Sequence, residues 1–227
     1  SDTFIIQKNF INYVSHEFKT PLTAISGNLE VFAQKDRSSA EYKEMSEKVL
    51  ENVYQIEDTM NTLMMLSGLR NNTELNEIFR VDELVWDIND QLPTTYDLKN
   101  APIQIVLEVA NDKLLSIKGN SNEIKIALYN IIENAVKYSN GNPIKISLLE
   151  QNNQLKIVIE DRGTGISEDD LTFIKQTFYR GKNVKDIKGS GVGLSLANII
   201  FKQNNIDFSI TSKKDEGTTV TLLFPPL

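Results

Sequence analysis

Two long stretches of helical periodicity dominate the first third of the sequence. Apolar residues fall at Ile11, Val14, Phe18, Ile25, Leu29 and Phe32, then at Tyr42, Met45, Val49, Val53, Ile56, Met60, Leu63 and Leu66. Steps of mostly three, four or seven put each set on one stripe of an amphipathic helix. Between the stripes, "QKDRSSAE" is polar and small and breaks the pattern. Each helix is about 30 residues long, roughly 45 Å. Two such helices with a short connection return antiparallel as a hairpin. A lone hairpin has little core of its own. A second copy, packed around a twofold axis into a four-helix bundle, would bury both stripes. Packing onto the chain's own C-terminal domain is the alternative. We read residues 1–71 as a dimerising hairpin.

From residue 81 the texture changes. "VDELVWDINDQL" is helical in period, and "NEIKIALYNIIENAVKYS" strongly so. "PIQIVLEV", "KLLSIKG", "PIKISLLE", "LKIVIED", "DFSITSK" and "TTVTLLF" read as strands, with β-branched residues and alternation. Strands mixed with helices predict a sandwich of sheet and helices. The expected fold class is therefore α + α/β with two domains, residues 1–71 and 81–227. Residues 72–80, overlapping "RNNTELNEIF", are the expected hinge.

Composition removes several classes of function. The formal charge is −7, with both signs mixed along the chain, so no basic face for nucleic acid is expected. There is no cysteine, hence no disulfide framework, thiolate metal site or cysteine nucleophile. No run of about 18 apolar residues is present, so no spanning segment and no membrane contact are expected within this stretch.

Three clusters in the second part carry chemical meaning. Asn130 and Asn134, four apart, share one helix face, and Lys137 lies three further on. Amide oxygens suit a hard cation such as Mg²⁺, and a lysine suits phosphate; such asparagines are also common surface residues. Asp161 ends an apolar strand and is followed by Gly163 and Gly165. An ionised carboxylate only accepts hydrogen bonds, so it could take the exocyclic amino group of adenine; the bland reading is a strand-ending turn. Gly189, Gly191 and Gly193 precede a helical pattern, where free N–H groups could meet phosphate. The spacing fits neither the dinucleotide fingerprint nor the P-loop. Lys175, Arg180, Lys182, Lys185 and Lys188 make the preceding loop basic. Such a loop suits a lid over polyphosphate, or is an ordinary solvated loop.

His16, the sole histidine, stands in "HEFKTP", beside Glu17 and five residues before Pro21. This motif is followed in order by "NIIENAVKYS", "DRGTGIS", "FYRG", "GSGVGLSLA" and "GTTVTLLFP". That succession resembles the sensor histidine kinases of two-component signalling over nearly the whole chain. The resemblance implies a dimerisation and histidine phosphotransfer hairpin, then an ATP-binding domain of the GHKL type.

The resemblance implies roles residue by residue. His16 is the phosphoacceptor, Glu17 the adjacent acid–base residue, and Thr20 orients a water for dephosphorylating the partner. Pro21 bends the helix. Asn134 is the Mg²⁺ ligand with Asn130 beside it. Lys137 contacts phosphate and Tyr138 lines the nucleotide pocket. Asp161 reads adenine, supported by Thr218, and Gly163 and Gly165 border the base. Phe178 anchors the lid, Arg180 faces the γ-phosphate, and Gly189, Gly191, Gly193 and Leu194 close over the phosphates.

The implied cofactors are ATP and Mg²⁺. The implied partners are a second copy, through residues 1–71, and the receiver domain of a response regulator. Opening on "SDTF", the sequence is expected to be excised from a bacterial inner-membrane sensor, on its cytoplasmic side. The rival readings are a GHKL ATPase of another class, and a phosphatase or dimerisation module with little kinase activity.

Overall fold

The computed structural model describes residues 2–66, 77–95, 102–176, 179 and 191–226. The chain divides into two compact units, residues 1–72 and 73–227.

The first unit is the expected hairpin. Helix α1 (Asp2–Ala33) runs through Pro21 without interruption, and α2 (Ser39–Leu66) packs back on it. The turn is held by a reciprocal cap. The Glu41 N–H donates to Ser38 Oγ at 3.3 Å, and the Glu41 carboxylate accepts from the Ser38 N–H at 2.8 Å and its hydroxyl at 2.9 Å. This is the S-x-x-E capping box, and it starts α2 inside the polar break. The Ser38 N–H, then its hydroxyl, hold the Glu41 carboxyl below the usual carboxylate range. Phe32 and Tyr42 meet across the turn with ring centroids 5.8 Å apart.

Among the described residues, none of the hairpin's Leu, Ile, Val, Met, Phe or Tyr side chains is buried; Leu22, Leu50, Tyr54 and Met60 are each at least half exposed. No helix among the described residues is long and apolar enough to cross a membrane.

The second unit is an α/β sandwich. A five-stranded sheet is ordered β2 (Ile103–Glu108), β4 (Ile144–Gln151), β5 (Gln154–Asp161), β7 (Gly217–Leu223), β6 (Asp207–Lys213). Only the β2–β4 pairing is parallel. Alternation places Ile146 opposite Ile159 and Leu148 opposite Ile157, with Leu222 and Val220 across from Ile157 and Ile159. Helices cover these side chains. Helix α3 (Val81–Thr95) buries Val81, Val85, Ile88 and Leu92; α4 (Ser121–Tyr138) buries Ile124, Leu128, Ile131 and Ile132; α6 (Gly193–Gln203) buries Leu196, Ala197, Ile200 and Phe201. Each fully buried Leu, Ile or Phe contributes about 1.5–3 kcal/mol relative to exposure. Helix α4 packs against α3, α6 and β5, and so lies at the centre of the layer.

Two local expectations change. Lys113–Leu115 belongs to a 3-10 turn (Asp112–Leu115), because the Asn111 side chain accepts from the Lys113 N–H at 3.3 Å and so turns the backbone. Only Ser116–Gly119 remains extended, as β3. It pairs with β1 (Glu77–Arg80), so the last residues of the expected hinge are a strand of the second unit. Arg80 fixes this strand. Its guanidinium bonds Asp82 at 2.8 Å and Asp112 at 2.9 Å, and those two carboxylates hold it charged well above its ordinary range.

Candidate active site

The second unit draws together three pieces that lie far apart in sequence. Asp161 closes β5, directly opposite Thr218 on β7. Its Oδ1 accepts from the Gly163 N–H at 2.9 Å. Burial raises the Asp161 pKa, opposed by the backbone N–H groups of Gly163 and Thr218.

The loop after Asp161 is pressed onto the end of α4. The Thr164 N–H donates to the Tyr138 carbonyl at 3.0 Å, and a Cβ on Gly163 would lie 1.8 Å from that same oxygen. Asn142 adds a second tie, donating to the Arg162 carbonyl at 2.7 Å and the Ser139 carbonyl at 2.9 Å. The other side of the loop rests on the β6–β7 turn. Gly165 adopts φ +58°, and a Cβ there would meet the Lys213 carbonyl oxygen at 2.0 Å. The left-handed backbone and the close approach both demand glycine.

The face of α4 beside this loop carries Asn130, Asn134, Lys137 and Tyr138, all partly buried. Asn134 makes no side-chain hydrogen bond among the described residues, which leaves its amide oxygen to offer. Asn130 is more committed: its Nδ2 donates to the Ile126 carbonyl at 2.9 Å. Its Oδ1 sits 2.2 Å from where a Cβ on Gly193 would be, so α6 begins against it only because Gly193 is bare. Lys137 pairs with Glu133 at 2.7 Å.

Gly191, at φ +73°, and the buried Val192 lead into α6; Val192 provides no side-chain cap, and Gly193 and Leu194 form the first turn. Phe178, Arg180 and Gly189 lie outside the described residues.

On the hairpin, Glu17 and Thr20 fall on α1 just before the buried Pro21. His16 lies on the same helix, and its side chain is outside the described residues.

Sequence reasoning missed two groups. Tyr179 donates to Asp170, which is 3% exposed, at 2.5 Å. That bond and burial push the Tyr179 hydroxyl up to about 12. It ties Tyr179, the sequence neighbour of Phe178 and Arg180, to α5 (Glu168–Leu171). The other is Ser212, whose hydroxyl lies 2.9 Å from that of Thr218. Its signal was present: Ser212 is polar at an inward position of β6.

A metal would find few charged ligands here. Among the described residues, no three His, Asp or Glu side chains come together to hold one. A cation at α4 would rely on amide oxygen and on the oxygens of its own nucleotide, which suits Mg²⁺.

Comparison with known proteins matches both units to known domain families. Residues 6–72 match the His Kinase A (phospho-acceptor) domain. Residues 119–227 match the histidine kinase-, DNA gyrase B- and HSP90-like ATPase family. The chain belongs to the sensor histidine kinases. It is 29% identical over 224 residues to the heme sensor protein HssS of Staphylococcus saprophyticus, covering 96% of this chain and 46% of that relative. It is 29% identical over 221 residues to the sensor histidine kinase YkoH of Bacillus subtilis, covering 96% and 47%. The chain thus spans about half the length of the curated relatives it matches. Among solved structures, the Acinetobacter baumannii histidine kinase AdeS superposes with TM-score 0.59 at 20% identity, covering 93% of this chain and 98% of that one. At that identity the likeness speaks for the fold, which is a histidine kinase fold of helical hairpin and α/β ATPase domain.

Proposed function

We propose that this kinase binds ATP·Mg²⁺ in its second unit, phosphorylates His16, and passes the phosphoryl group to an aspartate of a response regulator. The observation that carries the reading is the Gly163–Tyr138 contact. It joins an acceptor-only carboxylate on β5 to the amide- and lysine-bearing end of α4. One end suits an amino-purine and the other a metal-bound polyphosphate.

Residues 1–71 are then the phosphotransfer hairpin, residues 81–227 the catalytic domain, and 72–80 the connecting stretch, shortened by strand β1. Asp161 takes the adenine amino group, with Thr218 beside it and Gly163 and Gly165 bordering the base. Asn134 offers its amide oxygen to Mg²⁺, with Asn130 adjoining. Lys137 leaves Glu133 for phosphate, and Tyr138 lines the pocket. Gly189, Gly191, Gly193 and Leu194 cover the phosphates, with Phe178 and Arg180 in the loop before them.

At His16 a ring nitrogen forms the N–P bond as the bond from the γ-phosphorus to its bridging oxygen breaks and ADP departs. Glu17 holds or removes the proton of the other nitrogen. Bound Mg²⁺ would neutralise phosphate charge; the chain's own residues position and orient.

The hairpin's half-exposed apolar residues support a homodimer through residues 1–71. The relatives' names support a sensor role for the longer protein; a place on the cytoplasmic side of a membrane sensor is part of the same proposal. Incubation with γ-labelled ATP tests the reading: acid-labile label is expected, and acid-stable label would point to another GHKL class.

Asp161→Asn turns part of an acceptor into a donor facing the adenine amino group. ATP affinity is expected to fall about 5- to 150-fold, for a mismatch of about 1–3 kcal/mol. Burial raises the folded pKa of Asp161, so its contribution to stability is present at low pH and is lost as pH rises through that pKa. At neutral pH the ionised form costs stability. The nucleotide-free variant should therefore melt higher while binding worse. Calorimetry and a melting curve on one preparation check both signs.

Thr20 lies one helical turn beyond His16 on α1 and is exposed. A hydroxyl there can orient a water toward the regulator's phosphoaspartate without being the nucleophile. Thr20→Ala is expected to keep autophosphorylation and lose most regulator dephosphorylation. Side-by-side rates check this, and dephosphorylation at the original rate would remove Thr20 from the role.

A further inference from the structure

On β6 the inward positions are Phe208, Ile210 and Ser212, so a hydroxyl stands where an apolar side chain is expected. Ser212 lies opposite Thr218, and Thr218 opposite Asp161, in one row across β6, β7 and β5. Directly opposed residues of antiparallel strands project to the same side. Three partners meet at Ser212 Oγ. It accepts from the Ile166 N–H at 2.8 Å, donates to the Gly217 carbonyl at 2.8 Å, and lies 2.9 Å from Thr218 Oγ1.

A hydroxyl has one hydrogen and two lone pairs. An amide N–H only donates and a carbonyl only accepts. The hydrogen of Ser212 is thus spent on Gly217, and Ile166 occupies one lone pair. Only a lone pair remains for Thr218, so Thr218 must donate its own hydrogen to Ser212. Thr218 is left with lone pairs alone for any other neighbour.

We propose that Ser212 is a specificity-determining positioning residue. By taking the Thr218 hydroxyl hydrogen, it makes Thr218 an acceptor-only group beside Asp161, and the pair selects a 6-amino purine over a 6-oxo purine. A threonine hydroxyl free to rotate could turn and donate to a 6-carbonyl; one held by Ser212 cannot. The proposal rests on the reading of Asp161 and Thr218 as the adenine-facing pair.

The test is calorimetric binding of ADP and IDP to the full chain, because inosine replaces the 6-amino group by a carbonyl. The unmodified protein should prefer ADP. Ser212→Ala should narrow the ADP-to-IDP preference roughly three- to tenfold, the scale of one hydrogen bond. Ser212→Thr, which keeps the hydroxyl, should retain it. In a Thr218→Val background, Ser212→Ala should narrow the preference no further.

Equal weakening of ADP and IDP by Ser212→Ala would overturn the proposal, leaving Ser212 a purely structural tie for Ile166 and Gly217. So would an undiminished effect in the Thr218→Val background. If Ser212→Ala does not fold, Thr218→Val alone must narrow the preference, and an unchanged ratio overturns the idea. Asp161→Asn separates the two levels. If it leaves the ratio untouched, the adenine reading itself fails, and this proposal with it. If it narrows the ratio and Ser212→Ala does not, only the role of Ser212 falls.

Discussion

His16→Ala is expected to abolish acid-labile labelling from γ-labelled ATP while leaving ADP affinity within about twofold, well under the tenfold that 1.4 kcal/mol would produce. His16 is the only histidine in the chain, so no second imidazole can substitute. Cysteine is absent as well, which removes a thiolate as an alternative acceptor. The residues proposed to hold nucleotide belong to the second compact unit, whereas His16 belongs to the first. Loss of label with loss of ADP binding would mean that the substitution disturbs more than the acceptor. Full labelling of the variant would move the phosphoacceptor elsewhere.

Gly163→Ala is expected to be strongly damaging to the second unit. The new Cβ would meet the Tyr138 carbonyl oxygen at 1.8 Å, its carbon at 2.5 Å and the Ser139 Cα at 2.8 Å. All three are backbone atoms, so no side chain can swing aside. Overpacking of this kind costs about 1–3 kcal/mol or more, and each kcal/mol lowers Tm by about 2–4 °C in a domain of this size. The damage is also functional. Relief requires the loop to part from the end of α4, which breaks the Thr164–Tyr138 hydrogen bond and separates Asp161 from the Asn134 face. ADP affinity should fall at least about tenfold, the equivalent of 1.4 kcal/mol. A variant with unaltered Tm and ADP affinity would show that the loop can shift without cost. It would also remove the contact on which the nucleotide reading depends.

Periodicity made the elements legible. The stripes from Ile11 to Phe32 and from Tyr42 to Leu66 became α1 and α2, and the polar break between them became a capped turn. The apolar positions of "NEIKIALYNIIENAVKYS" became the buried face of α4. Alternation found β2 and β4 to β7. Each of these is a short-range property, because a residue's burial repeats with the pitch of its own element. The order of motifs carried the family, since each one spans only a few adjacent residues.

Contacts between distant segments were decided only by the tertiary structure. Glu77–Arg80 reads as linker on its own and becomes a strand only because Ser116–Gly119 lies alongside and Asp112 reaches Arg80. Nothing near Gly163 in sequence says that Tyr138 will fill the space where its side chain would be. Asp170 looks like one more exposed acid until Tyr179 bonds it in a nearly dry place. Ser212 could be picked out as a polar residue on an inward face, but which of its two possible acceptors takes its single hydrogen depends on the β6–β7 register, and a loop 46 residues away fills one of its lone pairs. The physical reason is the same in each case. Local patterns record which side of an element avoids water, whereas directional hydrogen bonds and backbone contacts depend on which other element arrives there.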